Sequence, residues 1–136
     1  MYRRAAPGDG TMQGMTMTPD VTVKVVAAFN RNPALSREEF SSYYEEHHAA
    51  LFRTKTPPAI LAGIPHYVQN VAIELGGAGA QPPYDCVTEL GFTDEAALRA
   101  WNDWYFGPEG KVLRDDEEHF MDKASRVIIV TAPRHP

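Results

Sequence analysis

Two strand-forming runs at opposite ends of the chain constrain its fold more than anything between them. Residues 21–29, VTVKVVAAF, start with polar and apolar residues in alternation but end apolar on both sides, and residues 126–131, RVIIVT, do not alternate at all. A sheet with helices on one face and water on the other alternates, hydrophobic in and polar out. These strands instead predict a sheet covered on both faces. The rest of the chain has helices for only one of them.

The first helix is sharply bounded. Ser36 followed three residues later by Glu39 is a capping box that starts a helix running to Arg53. Thr56-Pro57-Pro58 stops it, because prolines remove N–H groups and disfavour helical geometry before them. Residues 67–75 read as a second strand and 84–92 as a third, the latter alternating Tyr84, Cys86, Thr88, Leu90 and Phe92 against Asp85, Val87, Glu89 and Gly91. Between them the Gly/Pro-rich run 76–83 reads as a hairpin loop. Thr93-Asp94-Glu95 opens another helix carrying Leu98, Trp101 and Tyr105 on one stripe, and Gly107-Pro108 ends it. Residues 111–121 predict a short further helix with Leu113, Asp116 and Phe120 on one side.

The order β-α-β-β-α-(α)-β is that of a ferredoxin-like α+β fold, a four-stranded antiparallel sheet with its helices on one face. A second copy of the sheet is the economical cover for the other face. The expectation is therefore a homodimer packed sheet to sheet, a dimeric α/β barrel. Residues 21–131 form this domain, preceded by a leader (1–20) expected to be disordered and followed by a short tail (132–136).

Charge and composition narrow the function. Eighteen acidic against thirteen basic residues give a net charge of −5 without a basic cluster, which argues against nucleic acid and anionic membranes as partners. No segment approaches the roughly twenty apolar residues of a membrane span, and the leader lacks a signal-peptide core. The single Cys86 cannot form an internal disulfide, and no Cys/His spacing suits zinc. Neither a phosphate-binding glycine loop nor a serine elbow occurs. A cytoplasmic protein without metal or cofactor is expected.

Groups able to move protons concentrate on the first helix. Steps of 100° from Phe40 place Tyr44, His47 and Leu51 within about 40° of it, with Tyr43 and His48 on the flanks. A flanking His48 can reach a cavity and titrates near neutrality, so it is the first candidate for acid/base work. Tyr44, one turn earlier, can orient it or a substrate oxygen. His47, near the centre of the stripe, is expected in the core or in a binding wall. Tyr67, Phe92, Trp101 and Trp104 are candidate pocket walls, although their spacing serves a plain core equally. Asp85 and Glu89 share a strand face roughly 13 Å apart, too far to act as a pair. Asp115, Asp116 and His119 read as a solvated helix face.

Four segments resemble the EthD family of the dimeric α/β barrel superfamily: Glu39-Phe40 with His47-His48-Ala49-Ala50-Leu51, Pro65 to Asn70, Tyr84-Asp85 through Phe92, and Asp116-Glu117 with Phe120 and Asp122. Ala50 stands where the family usually has proline. The resemblance implies the fold, the dimer and a pocket between sheet and helices, and it marks Asp85 as the carboxylate that would hold a histidine. It further implies a cofactor-independent enzyme of cyclase, isomerase, decarboxylase or dehydratase type on a small hydrophobic, aromatic or polyketide-like substrate. A non-catalytic carrier or oxygenase accessory, and a cofactorless monooxygenase, fit the same resemblance.

Overall fold

The computed structural model describes residues 20–74 and 81–136. Nearly all of the expected leader, and the expected hairpin loop up to residue 80, lie outside the described residues. Four antiparallel strands form one sheet in the order β2-β3-β1-β4, with β1 (Val23–Arg31), β2 (His66–Val71), β3 (Cys86–Phe92) and β4 (Met121–Thr131). The expected ferredoxin-like arrangement is thus present.

Register decides which side chains meet the helices. Val25 lies opposite Leu90 and Val130, and Ala27 opposite Thr88 and Ile128. Directly opposed residues project to the same face, so these six share one side of the sheet. Helices cover the β3 half of that side, where Phe92, Leu98, Trp101 and Leu113 form the core. They leave Ile128 and Val130 on β4 exposed.

On the opposite side, Lys24 Nζ and His66 Nε2 approach Glu89 Oε1 at 2.9 and 3.0 Å. The Lys24 bond, followed by that from His66, holds the Glu89 carboxyl down at about 2. Val26, Val127 and Ile129 lie beside this polar patch, and Ile129 is 57% exposed.

Two departures from the expected boundaries matter for function. β4 starts at Met121 rather than Arg126, because the chain passes directly from α5 (Lys111–Phe120) into the strand. It then bulges: Ala28 pairs with Val127, but Asn30 pairs with Asp122. Ser125 ties the extra residues down, its Oγ accepting from Asn30 N–H at 2.8 Å and donating to Asp122 C=O at 2.6 Å. Such bulges bend a strand and re-aim its side chains.

The second departure is in the first long helix. The capping box is formed, with Ser36 Oγ accepting from Glu39 N–H at 3.0 Å and Glu39 Oε1 accepting from Ser36 N–H at 2.8 Å. Helix α1 (Arg37–Ser42) then continues through a π-helical turn (Tyr43–His48) into α2 (Ala49–Lys55), and the short α3 (Pro58–Leu61) follows Pro57. Ala49 N–H donates to Tyr44 C=O, five residues back instead of four. One extra residue in a turn rotates everything after it by about 100°. His48 and Phe52 are therefore buried with Phe40 and Tyr44, where a uniform wheel places His47 and Leu51.

Helix α4 (Glu95–Tyr105) starts on Asp94, whose carboxylate accepts from Ala97 N–H at 2.8 Å. A 3₁₀ turn (Pro108–Gly110) then returns the chain into α5. Gly110 permits that close return, since a β-carbon there would lie 2.2 Å from Tyr105 C=O and 2.5 Å from Trp104 C=O.

Candidate active site

The site is built where the π turn meets α5. The buried stripe of α5 is Leu113, Asp116, Glu117 and Phe120, the i, i+3, i+4, i+7 pattern of an amphipathic helix with two carboxylates set into it. Asp116 Oδ2 lies 2.8 Å from His48 Nδ1, and Tyr43 Oη donates to Asp116 Oδ1 at 2.5 Å. The Nε2 of the more exposed His47 approaches the same Oδ1 at 3.4 Å. Three side chains of one helical turn thus converge on a single buried acid.

That convergence sets the chemistry of His48. An ionised carboxylate can only accept, so Asp116 selects the tautomer with the proton on Nδ1 and leaves the lone pair on Nε2. Among the described residues Nε2 has no hydrogen-bond partner. Burial pushes the imidazole below its usual range, outweighing the opposing pull of Asp116. Near neutral pH His48 is accordingly an uncharged base held in one orientation. A uniform helical wheel does not find this geometry, because the π turn is what brings His48 inward.

A cavity of about 300 Å³ opens beside the imidazole, between the sheet and helices α4 and α5. Val25, Leu90, Leu113 and the ring of Trp101 give it apolar walls. Tyr44 and Tyr67 border it as well. Tyr44 Oη and Thr88 Oγ1 are 2.6 Å apart, whereas Tyr67 Oη accepts from Gln69 Nε2 at 2.7 Å and keeps its own proton to donate. Burial, first among the causes, raises the pKa of both phenols, so both remain protonated donors. Gln69 also bonds the Tyr44 carbonyl at 3.0 Å, joining β2 to the π turn.

At another edge of the cavity Glu117 is buried with a full set of partners. Tyr105 Oη lies 2.7 Å from both its oxygens, Lys123 Nζ approaches at 3.2 Å and Arg126 Nη1 at 3.3 Å. Both cations come from the bulged part of β4.

The structure brings His48, Tyr44, Tyr67 and Trp101 to one cavity and leaves the other sequence candidates elsewhere. Asp85 does not hold a histidine: its carboxylate accepts from Arg31 N–H at 2.9 Å and pairs with the guanidinium groups of Arg31 and Arg37 at 3.0 and 3.3 Å. The strand's start near Arg31 places it there. His47 is turned outward by the π turn, its side chain 53% exposed. Phe92 and Trp104 are packed in the core away from the cavity. Asp115 and His119 face solvent as expected for that helix, but Asp116 faces inward. Its place on the Leu113–Phe120 side was the available signal; Glu117, i+4 from Leu113, shares that stripe and stands in the segment that resembles the family, but neither it nor Arg126 was singled out.

A four-stranded antiparallel sheet in the order β2-β3-β1-β4 with its helices on one face makes this a ferredoxin-like domain. The chain belongs to the EthD domain family, whose family model matches residues 32–124. Among solved structures it is similar to an ethyl tert-butyl ether d (EthD) family protein from Bacillus halodurans, at 18% identity and a TM-score of 0.58, covering 83% of this chain and 99% of that one. It is similar also to an EthD-like protein from Ralstonia eutropha, at 12% identity, TM-score 0.59, covering 83% and 93%. A third is a dimeric ferredoxin-like protein of unknown function from Thermobifida fusca, at 18% identity, TM-score 0.54, covering 83% and 92%. No curated protein matches. At these identities the structural likenesses establish the fold alone.

Proposed function

We propose that the protein is a cofactor-independent acid/base enzyme acting on a small, largely apolar substrate with an acidic C–H bond. The reading rests on one observation: a buried imidazole held through Nδ1 by Asp116 lines an apolar cavity, with Nε2 left without a hydrogen-bond partner among the described residues. Nε2 takes the carbon-bound proton while the C–H electron pair moves onto the adjacent carbonyl as an enolate. The Tyr67 hydroxyl donates to the developing oxyanion, and the imidazolium, paired with Asp116, returns the proton to a new position. That sequence serves an isomerisation, a cyclisation or a dehydration. The rings of Trp101, Tyr105 and Phe120 suit a flat aromatic body.

The test uses a substrate whose ring opens on proton abstraction, 5-nitrobenzisoxazole. The wild-type protein is expected to open it faster than buffer. Because burial lowers the His48 pKa, kcat/KM should rise with pH through an inflection below 6.5, the ordinary histidine value, and level off above it. Saturable binding without any product would favour a carrier instead. A rate that is flat across pH 5–7 would remove His48 from the mechanism.

The same reading includes a homodimer. Val127 and Ile129 on the face remote from the helices are 45% and 57% exposed, and a second sheet laid on that face would cover them. The Thermobifida fusca relative is described as dimeric. Light scattering should give twice the chain mass, and Ile129→Asp should halve it; a monodisperse wild-type monomer would refute the dimer.

A further inference from the structure

Arg126 is the one cation among the described residues that line the cavity, and the proposed mechanism gives it no task. It is partly buried, its side chain 23% exposed, two residues before Ile128 on the face of β4 that the helices cover in part. It reaches Glu117 through Nη1 alone, at a long 3.3 Å, and its other polar neighbour is the Tyr105 hydroxyl. A guanidinium carries five donors in a planar fork, so most of its capacity is unspent.

The partners of the neighbouring charges are already divided among them. Glu117 is a single carboxylate shared by Lys123 and Arg126, while Tyr105 donates a hydroxyl to it. Lys123 reaches two more acceptors, the Arg114 carbonyl and Glu118, but Glu118 is 69% exposed and screened by water. The two buried carboxylates, Asp116 and Glu117, match Lys123 and Arg126 in number, but Asp116 is taken up by His48 and Tyr43 and Glu117 is shared, so Arg126 is the cation left with spare donors at the edge of an otherwise apolar cavity.

We infer that the substrate is an acid: a flat apolar body bearing one carboxylate, which Arg126 receives while the reacting carbon faces His48. A carboxylate matches the guanidinium fork, forming charge-assisted bonds stronger than any a hydroxyl or ketone could offer. The inference deepens the acid/base reading above and rests on it for the position of the reacting carbon, but not for the ion pair.

The test compares 2-naphthoate with 2-naphthalenemethanol, matched in shape and differing in charge, by titration calorimetry at pH 7. The wild-type protein should bind the carboxylate at least about tenfold more tightly. Arg126→Gln should erase that preference and leave the alcohol within about twofold, and Arg126→Lys should keep part of it. His48→Gln should retain the preference while losing ring opening, so a failure of catalysis and a failure of the ion pair give different results. Equal affinity of the wild-type protein for the two probes overturns the inference without recourse to any variant. So does an Arg126→Gln protein, folded by circular dichroism, that weakens both ligands alike, since the guanidinium would then only brace Glu117.

Discussion

His48→Gln should lower kcat/KM for ring opening of 5-nitrobenzisoxazole by roughly 10²- to 10⁴-fold, the usual contribution of a positioned general base. Glutamine fills nearly the same space and can still bond Asp116, so the fold is expected to hold while the basic lone pair is lost. Asp116→Asn should cost activity of similar order for a different reason. Tyr43 Oη donates to Oδ1, so the amide of the variant places its oxygen there and turns its NH₂ towards Nδ1. The imidazole would then carry its proton on Nε2 and present a donor to the cavity where a base is needed. Melting temperatures of both variants should stay close to wild type. An Asp116→Asn enzyme as fast as wild type, with its kcat/KM–pH profile unmoved, would show that the carboxylate does not set the tautomer.

Phe120→Ala should destabilise the protein by about 3–5 kcal/mol, the range for removing a fully buried aromatic ring. Phe120 is 0% exposed and is the hub of an aromatic cluster: its centroid lies 4.7 Å from Tyr44 and from His48, and 6.2 Å from Phe29 and from Phe40. Those neighbours stand on a strand and on the π-containing helix, so they cannot all close on the space left behind. For a domain of this size the melting temperature should fall by roughly 10–20 °C. Thermal denaturation followed by circular dichroism reads this directly. A loss under about 1 kcal/mol would mean that the cluster relaxes freely, and that the His48 ring is held by Asp116 alone.

The elements of this fold were legible because each has a local cause. Ser36 and Glu39 close a capping box, Pro57 and Pro58 end a helix, and the alternation from Cys86 to Phe92 has the period of a strand. The choice between His47 and His48 was not legible in the same way. Both face inward or outward according to one residue of helical winding, and that winding depends on tertiary contacts such as Gln69 to the Tyr44 carbonyl. Asp85 illustrates another limit. Its carboxylate was visible, but whether it met a histidine or an arginine depended on where β1 ends, and β1 runs on to Arg31. Arg126 shares a strand face with Ile128 and Val130, and Glu117 shares the buried stripe of α5, but that the two meet depends on how α5 packs over β4, which neither local pattern shows.

The π turn has one more consequence. It makes the residue this helix turns inward a matter of counting rather than of chemistry: wound as a plain α-helix at its present length, the segment would swing the histidine now at the surface into the interior and exchange Phe52 for Leu51 beneath it, whereas a chain one residue shorter between Tyr43 and His48 would wind as a plain α-helix with the present pair still inside. With two adjacent histidines available, the winding of that one turn acts as a gear that selects which imidazole reaches the interior, and loss of a single codon would lock in the present choice.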